Sequence, residues 1–162
     1  MHRKAEALRE TIRQQSFDGE FFRDNAELDE NGRAVVTSNR TETCQYYAFF
    51  TGTATKETYP ELYSRLVNEF GSVRKERDNY PEIHPSNAFI GNYLRLEILF
   101  RDGLYEKVVD DVRGFFLPMA ECTGTLWENM TDNASCNHGF ASYALTWLLF
   151  ALDIKTDGAG TR

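Results

Sequence analysis

The chain has 162 residues, 41% hydrophobic and 27% charged, which is the composition of one globular domain with a real hydrophobic core. A net charge of −7 removes the basic footprint that nucleic acid or an anionic membrane surface requires. No apolar run approaches a membrane span, because the longest, Tyr143 to Leu152, has the length of a buried helix. Met1 to Glu6 also lacks the apolar stretch of a signal peptide.

Ala5 to Gln15 is rich in helix formers, with Leu8 and Ile12 four apart on one face. The run Phe17-Asp18-Gly19-Glu20-Phe21-Phe22 breaks it, and the break extends as a loop through the turn signal Asp29-Glu30-Asn31-Gly32. Ser38 or Asn39 is placed to cap a second helix, Thr41 to Gly52, carrying Tyr46, Tyr47, Phe49 and Phe50. Thr55 is the expected N-cap of a third helix, with Leu62, Leu66 and Phe70 as its apolar stripe and Gly71 as its stop.

The charged segment 74–79 leads through Tyr80-Pro81 and His84-Pro85, a loop, to Ser86 or Asn87 as the cap of a fourth helix ending near Arg101. Asp102-Gly103 turns the chain into a fifth helix, Tyr105 to Leu117, which Pro118 ends or kinks. Residues 122–135 read as a loop and His138 to Leu152 as an almost wholly apolar sixth helix. The expected fold is therefore all-α. About six helices and no convincing strand form stacked α-hairpins, with short turns at one end and long loops, near 16–38, 71–85 and 121–136, at the other.

Chemistry concentrates in the last of these loops. Gly124-Thr125-Leu126-Trp127-Glu128 sets a carboxylate beside a large flat aromatic, and Asn137-His138 adds an imidazole ten residues further on. A carboxylate, a stacking ring and a hydroxyl-orienting donor are the parts of a sugar-cleaving site. Each has a plainer reading. Glu128 also suits a solvated or helix-capping carboxylate, Trp127 a core residue, and His138 a satisfied helix-start residue. Cys44, Cys122 and Cys136 are too few for a disulfide framework. With His138 they make a zinc-type inventory without the C-x2-C pair that structural zinc sites carry, so buried thiols and no cofactor are expected.

The chain resembles the C-terminal half of the (α/α)6-barrel catalytic domain of inverting α-L-rhamnosidases and related six-hairpin glycosidases. Thr125-Leu126-Trp127-Glu128 and Asn137-His138 with Phe140 carry the resemblance, supported by 17–24 and by Gly91-Asn92-Tyr93. It implies half of an (α/α)6 toroid, with Glu128 as the general base that activates water and with Trp127 and His138 lining the sugar subsite. The family's general acid belongs to an Asp- and Glu-rich motif of the N-terminal half, which this sequence does not contain.

Glu42, at a helix start behind a long loop, is the second carboxylate candidate, either as a sugar ligand or as a substitute acid. Asn92, Tyr46 and Gln45 are further cleft candidates. The partners expected are a carbohydrate substrate, no nucleic acid and no membrane. A homo-oligomer, or the missing N-terminal half of the barrel, is expected to cover the inner helical face. The alternative reading is a non-catalytic helical-hairpin module that binds carbohydrate or serves as a scaffold.

Overall fold

The computed structural model describes residues 2–76, 79–87, 89–129, 131 and 134–159, with the side chains of 75, 76 and 154–159 excepted. It is mainly helical, as expected. In chain order the helices are α1 (His2–Ser16), α2 (Glu42–Phe50), α3 (Pro60–Asn68), α4 (Ile90–Arg101), α5 (Tyr105–Thr123) and α6 (Tyr143–Ala159). Short 3-10 turns at Gly71–Glu76 and Gly139–Ser142 lead out of α3 and into α6.

Side-chain pairings along the helices fix their directions. Thr43 adjoins Gly91 at the starts of α2 and α4, and the Arg101 guanidinium lies 4.6 Å from the Phe50 ring centre at their ends. Tyr93 meets Tyr143 at 5.1 Å and Phe100 meets Trp147 at 5.0 Å between ring centres. The helices α2, α4 and α6 therefore run parallel, side by side. Arg95 pairs with Asp111 and Phe100 with Tyr105, so α5 runs back antiparallel after the tight turn at Gly103. With α3 and the 71–76 turn, α5 forms a second layer behind α4. The loops entering α2, α4 and α6 consequently gather at one end.

The core between the layers holds Phe21, Phe22, Tyr46, Leu66, Phe70, Leu96, Leu99, Phe115 and Met119, each 2% exposed or less. A charged seam runs through it. Arg95 Nε donates to Asp111 Oδ2 at 2.6 Å, and its other nitrogens reach the Leu66 and Val67 carbonyls. Asp111 Oδ1 accepts from Ser72 Oγ at 2.9 Å and Ser72 N at 3.1 Å. Each nitrogen of Arg95 and each oxygen of Asp111 has a partner, and such added hydrogen bonds offset the desolvation cost of a buried pair.

Local signals explain where the observed elements depart from expectation. The turn at 29–32 closes a small antiparallel hairpin, β1 (Ala26–Leu28) with β2 (Ala34–Val36), where a loop was expected. Asp29 Oδ1 accepts from the backbone of Asn31 and Arg33, both at 2.8 Å, and Gly32 takes φ 72°. Three-residue strands are too short for alternation to register in the sequence.

Thr41, rather than Ser38 or Asn39, caps α2, its hydroxyl accepting from Cys44 N at 3.0 Å. Thr55 does not start α3. It closes a small turn with Thr58, and Pro60 pushes Tyr59 out of the α region, so the helix begins at Pro60. Asn87 does cap, accepting from Ile90 N and Gly91 N at 3.1 and 2.8 Å. Pro118 neither ends nor interrupts α5, because Phe115, Phe116 and Met119 around it are buried and hold the helix to Thr123. Leu8 is exposed at 61%, since α1 touches the rest mainly through Ile12 and through Arg9 and Arg13, which donate to the Thr51 and Thr53 carbonyls.

Candidate functional site

Three segments meet where α2, α4 and α6 begin. Residues 82–87 run beside the entry to α2, with Glu42 N donating to the His84 carbonyl and His84 N to the Arg40 carbonyl, at 3.0 and 2.9 Å. The segment 124–138 doubles back as two paired legs: Glu128 N donates to Ser135 O at 2.9 Å and His138 N to Leu126 O at 2.8 Å. Thr125 Oγ1 closes the base of this loop on the Cys136 carbonyl. The His138 ring then packs on Phe89 with centres 4.8 Å apart, pinning the loop to the start of α4.

Between these segments lies an open groove of about 720 Å³. Thr41 and Thr43 of the α2 start, His84 to Asn87 ahead of α4, and Asn129 and Thr131 of the doubled loop line it. A second depression, of about 830 Å³, lies across His84 and Pro85 and is more highly charged, with Arg23, Asp24, Arg40 and Glu82 in its walls.

The expected site residues fall into two groups. Glu128 and His138 sit on opposite legs of the same loop, half-buried, and among the described residues the Glu128 carboxylate has no hydrogen-bond partner. It remains open to a ligand or a water, as does the Glu82 carboxylate in the neighbouring depression. His138 is not in the sixth helix: it precedes the 139–142 turn, and α6 starts at Tyr143.

Trp127 does not form an exposed platform. It is 9% exposed, its indole Nε1 donates to Thr123 Oγ1 at 2.7 Å and its backbone N–H to Met119 Sδ at 3.4 Å, so it anchors the loop to α5.

Glu42, 1% exposed, is also not offered to a cleft. Its Oε1 takes Arg74 Nη1 at 2.6 Å and its Oε2 takes the Tyr46 hydroxyl at 2.9 Å and Ser86 N at 3.4 Å. Burial, and then the neighbouring Glu42 charge, push the Tyr46 hydroxyl well above its ordinary range, so it stays a donor. Gln45 is buried too, gripping both backbone groups of Phe22 at 2.8 Å. Asn92, wholly buried, donates to Asn87 O at 3.2 Å.

No family model, curated protein or solved structure matches the chain. Among the described residues no group of three or more His, Cys, Asp or Glu side chains is placed to hold a metal, and no helix is long and apolar enough to cross a membrane. Cys44, Cys122 and Cys136 form no disulfide; Cys122 is exposed and the other two half-buried where buried thiols were expected, and burial, with Asp24 nearby, pushes the Cys44 thiol up to about 12.

The sequence reading passed over the partners that give these residues their roles. Arg74 lay in a run taken for a solvated loop, yet it also donates to the Tyr80 and Ile83 carbonyls and its guanidinium covers the Phe70 ring. Thr43 carries no sequence signature, and Ser86 and Asn129 carry none that points to a shared groove. Only the convergence of three parallel helix entries brings them into one groove.

Proposed function

We propose that this chain is the C-terminal half of a six-hairpin glycosidase catalytic domain of the inverting α-L-rhamnosidase type, with Glu128 as general base. One observation carries the reading. The loop bearing Glu128 and His138 folds onto the end where α2, α4 and α6 all begin, beside an open groove of hydroxyls and amides, and Glu128 keeps its carboxylate unengaged among the described residues. Three parallel helices backed by an antiparallel layer also have the arrangement expected of half an (α/α)6 toroid.

In this role Glu128 takes a proton from the water that attacks the anomeric carbon, while a carboxylic acid across the sugar protonates the leaving oxygen. The two groups stand roughly 6.5–9.5 Å apart to admit that water. Glu42 is not that acid, because both its oxygens are spent on Arg74, Tyr46 and Ser86. The acid belongs to the N-terminal half of the barrel. That half packs on the exposed stripe of α6 formed by Leu145, Leu149 and Leu152, which are 56%, 60% and 40% exposed. Alone, the chain is a feeble catalyst.

The test is nitrophenol release from a panel of nitrophenyl glycosides, α-L-rhamnoside included, at high protein concentration. The wild-type chain is compared with Glu128→Gln, the fold of each checked by circular dichroism. Slow turnover lost in the variant is expected. Turnover that the variant retains removes Glu128 as the base, and turnover absent from both leaves a severed half-site or a non-catalytic carbohydrate-binding or scaffold module.

A further inference from the structure

The groove holds an unusual set of groups. Ser86 is 2% exposed, and its hydroxyl oxygen is buried without a hydrogen-bond partner. It is locked there by packing: a β-carbon on Gly91 would stand 2.3 Å from the Ser86 β-carbon and 2.8 Å from Thr43 Oγ1. A buried hydroxyl left without a partner carries an uncompensated desolvation cost, which a ligand atom reaching it would offset. The polar ends around it are also uncommitted: among the described residues the hydroxyls of Thr43 and Thr131 and the carboxamide of Asn129 bond to nothing.

His84 Nδ1 lies 2.9 Å from the Pro85 carbonyl, which can only accept, so Nδ1 carries the proton. In the neutral ring Nε2 is then an acceptor on the rim. Among the described residues no carboxylate, lysine or arginine lines this groove, whereas the neighbouring depression has both signs of charge.

Donors and acceptors without charge, together with the apolar face of Pro85, suit a ligand that is itself neutral, ring-shaped and dense in hydroxyl groups. We infer that the groove between the starts of α2 and α4 and the 124–138 loop is a sugar subsite, separate from the Glu128 position, in which Ser86, Thr43 and Asn129 hydrogen-bond the ring hydroxyls. Ser86 turns its buried hydroxyl to the ligand once the groove is filled. The identification of the ring as a substrate unit rests on the glycosidase reading. The existence of the subsite does not, because it stands on the unpaired groups alone.

The experiment is a titration of the full chain with L-rhamnose and methyl α-L-rhamnoside, followed by two-dimensional amide NMR, with glucuronate as the charged control. Millimolar binding of the neutral sugars is expected, with shifts at residues 41–43, 84–87 and 129–131 and none from glucuronate. Asn129→Ala and Thr43→Val, both at the groove wall and outside the core, should each weaken binding about fivefold while leaving the remaining spectrum in place.

Shifts confined to Glu128 and His138, or no shifts at all, overturn the subsite. So does tighter binding of glucuronate. Groove shifts combined with nitrophenol release that is insensitive to Glu128→Gln keep the subsite and sink the glycosidase reading. Turnover lost in Glu128→Gln with a silent groove does the reverse.

Discussion

Replacing Glu42 by glutamine separates a structural carboxylate from a chemical one. The side chain is near-isosteric, so the cavity is unchanged and only the charge is removed. In the native chain the carboxylate faces the Arg74 guanidinium at 2.6 Å, with the two side chains 2% and 8% exposed, and the same group takes the Tyr46 hydroxyl. After substitution one amide oxygen still accepts from either Tyr46 or Arg74. The Arg74 charge, however, loses its counter-charge and keeps neutral partners, the Tyr80 and Ile83 carbonyls and the Phe70 ring.

Removing one partner of a buried pair costs roughly 3–5 kcal/mol, and the retained carbonyl contacts place this case at the low end, about 3 kcal/mol. For a domain of this size, in which each kcal/mol moves the midpoint by about 2–4 °C, thermal unfolding should fall by roughly 6–12 °C. The urea midpoint should fall in proportion with the slope unchanged. Glu128→Gln, half-buried and unpaired among the described residues, should stay within about 0.5 kcal/mol of wild type. A Glu42→Gln variant as stable as Glu128→Gln would refute the structural assignment and return Glu42 to the list of acids.

Asp111→Ala should be costlier still, about 3–5 kcal/mol by urea unfolding, because it strands the wholly buried Arg95; the double replacement Arg95→Met with Asp111→Leu should recover most of that loss. Burial alone would raise the Asp18 carboxyl, but the Phe21 and Glu20 amides and then Arg40 outweigh it and hold the group below its ordinary value of 3.8. A carboxyl lowered on folding lends stability that is full above that value and lost as the pH falls through the folded one. Acid unfolding followed by circular dichroism should therefore begin at higher pH in Asp18→Asn, whose wild-type advantage shrinks below about pH 4.

The helices were legible because their cause is local. Leu62 and Leu66, Leu96 and Leu99, and Val108, Val112 and Phe115 recur at helical spacing, and all are buried. Boundaries were less so, since they turn on which of several neighbouring hydroxyls wins a cap, as Thr41 does over Ser38. The loop with Glu128 and His138 was recognisable by its residue types, and its two legs meet because backbone pairing brings 128 to 135 and 126 to 138. What could not be read was direction. An aromatic in a loop and a carboxylate at a helix start look available in one dimension, yet Trp127 turns its indole in to Thr123 at the end of α5 and Glu42 turns in toward Arg74. The Glu42 partner lies 32 residues away, which no local pattern encodes.

That inward turning also determines what kind of ligand the open end can take. The helix entries concentrate partial positive charge where α2, α4 and α6 begin, and such a place attracts anions when nothing opposes it. Here Glu42 sits at the start of α2 and is itself neutralised by Arg74, so the helix start is already answered from within the core. At the α4 start, Asn87 spends its carboxamide oxygen on two backbone amides. With the charges paired below the surface, the uncommitted groups facing the groove among the described residues are hydroxyls, an amide and an imidazole. On the proposed reading, binding there selects for the arrangement of hydroxyl groups instead of for charge, and Glu128, to which that reading gives the chemistry, stands to one side on a loop.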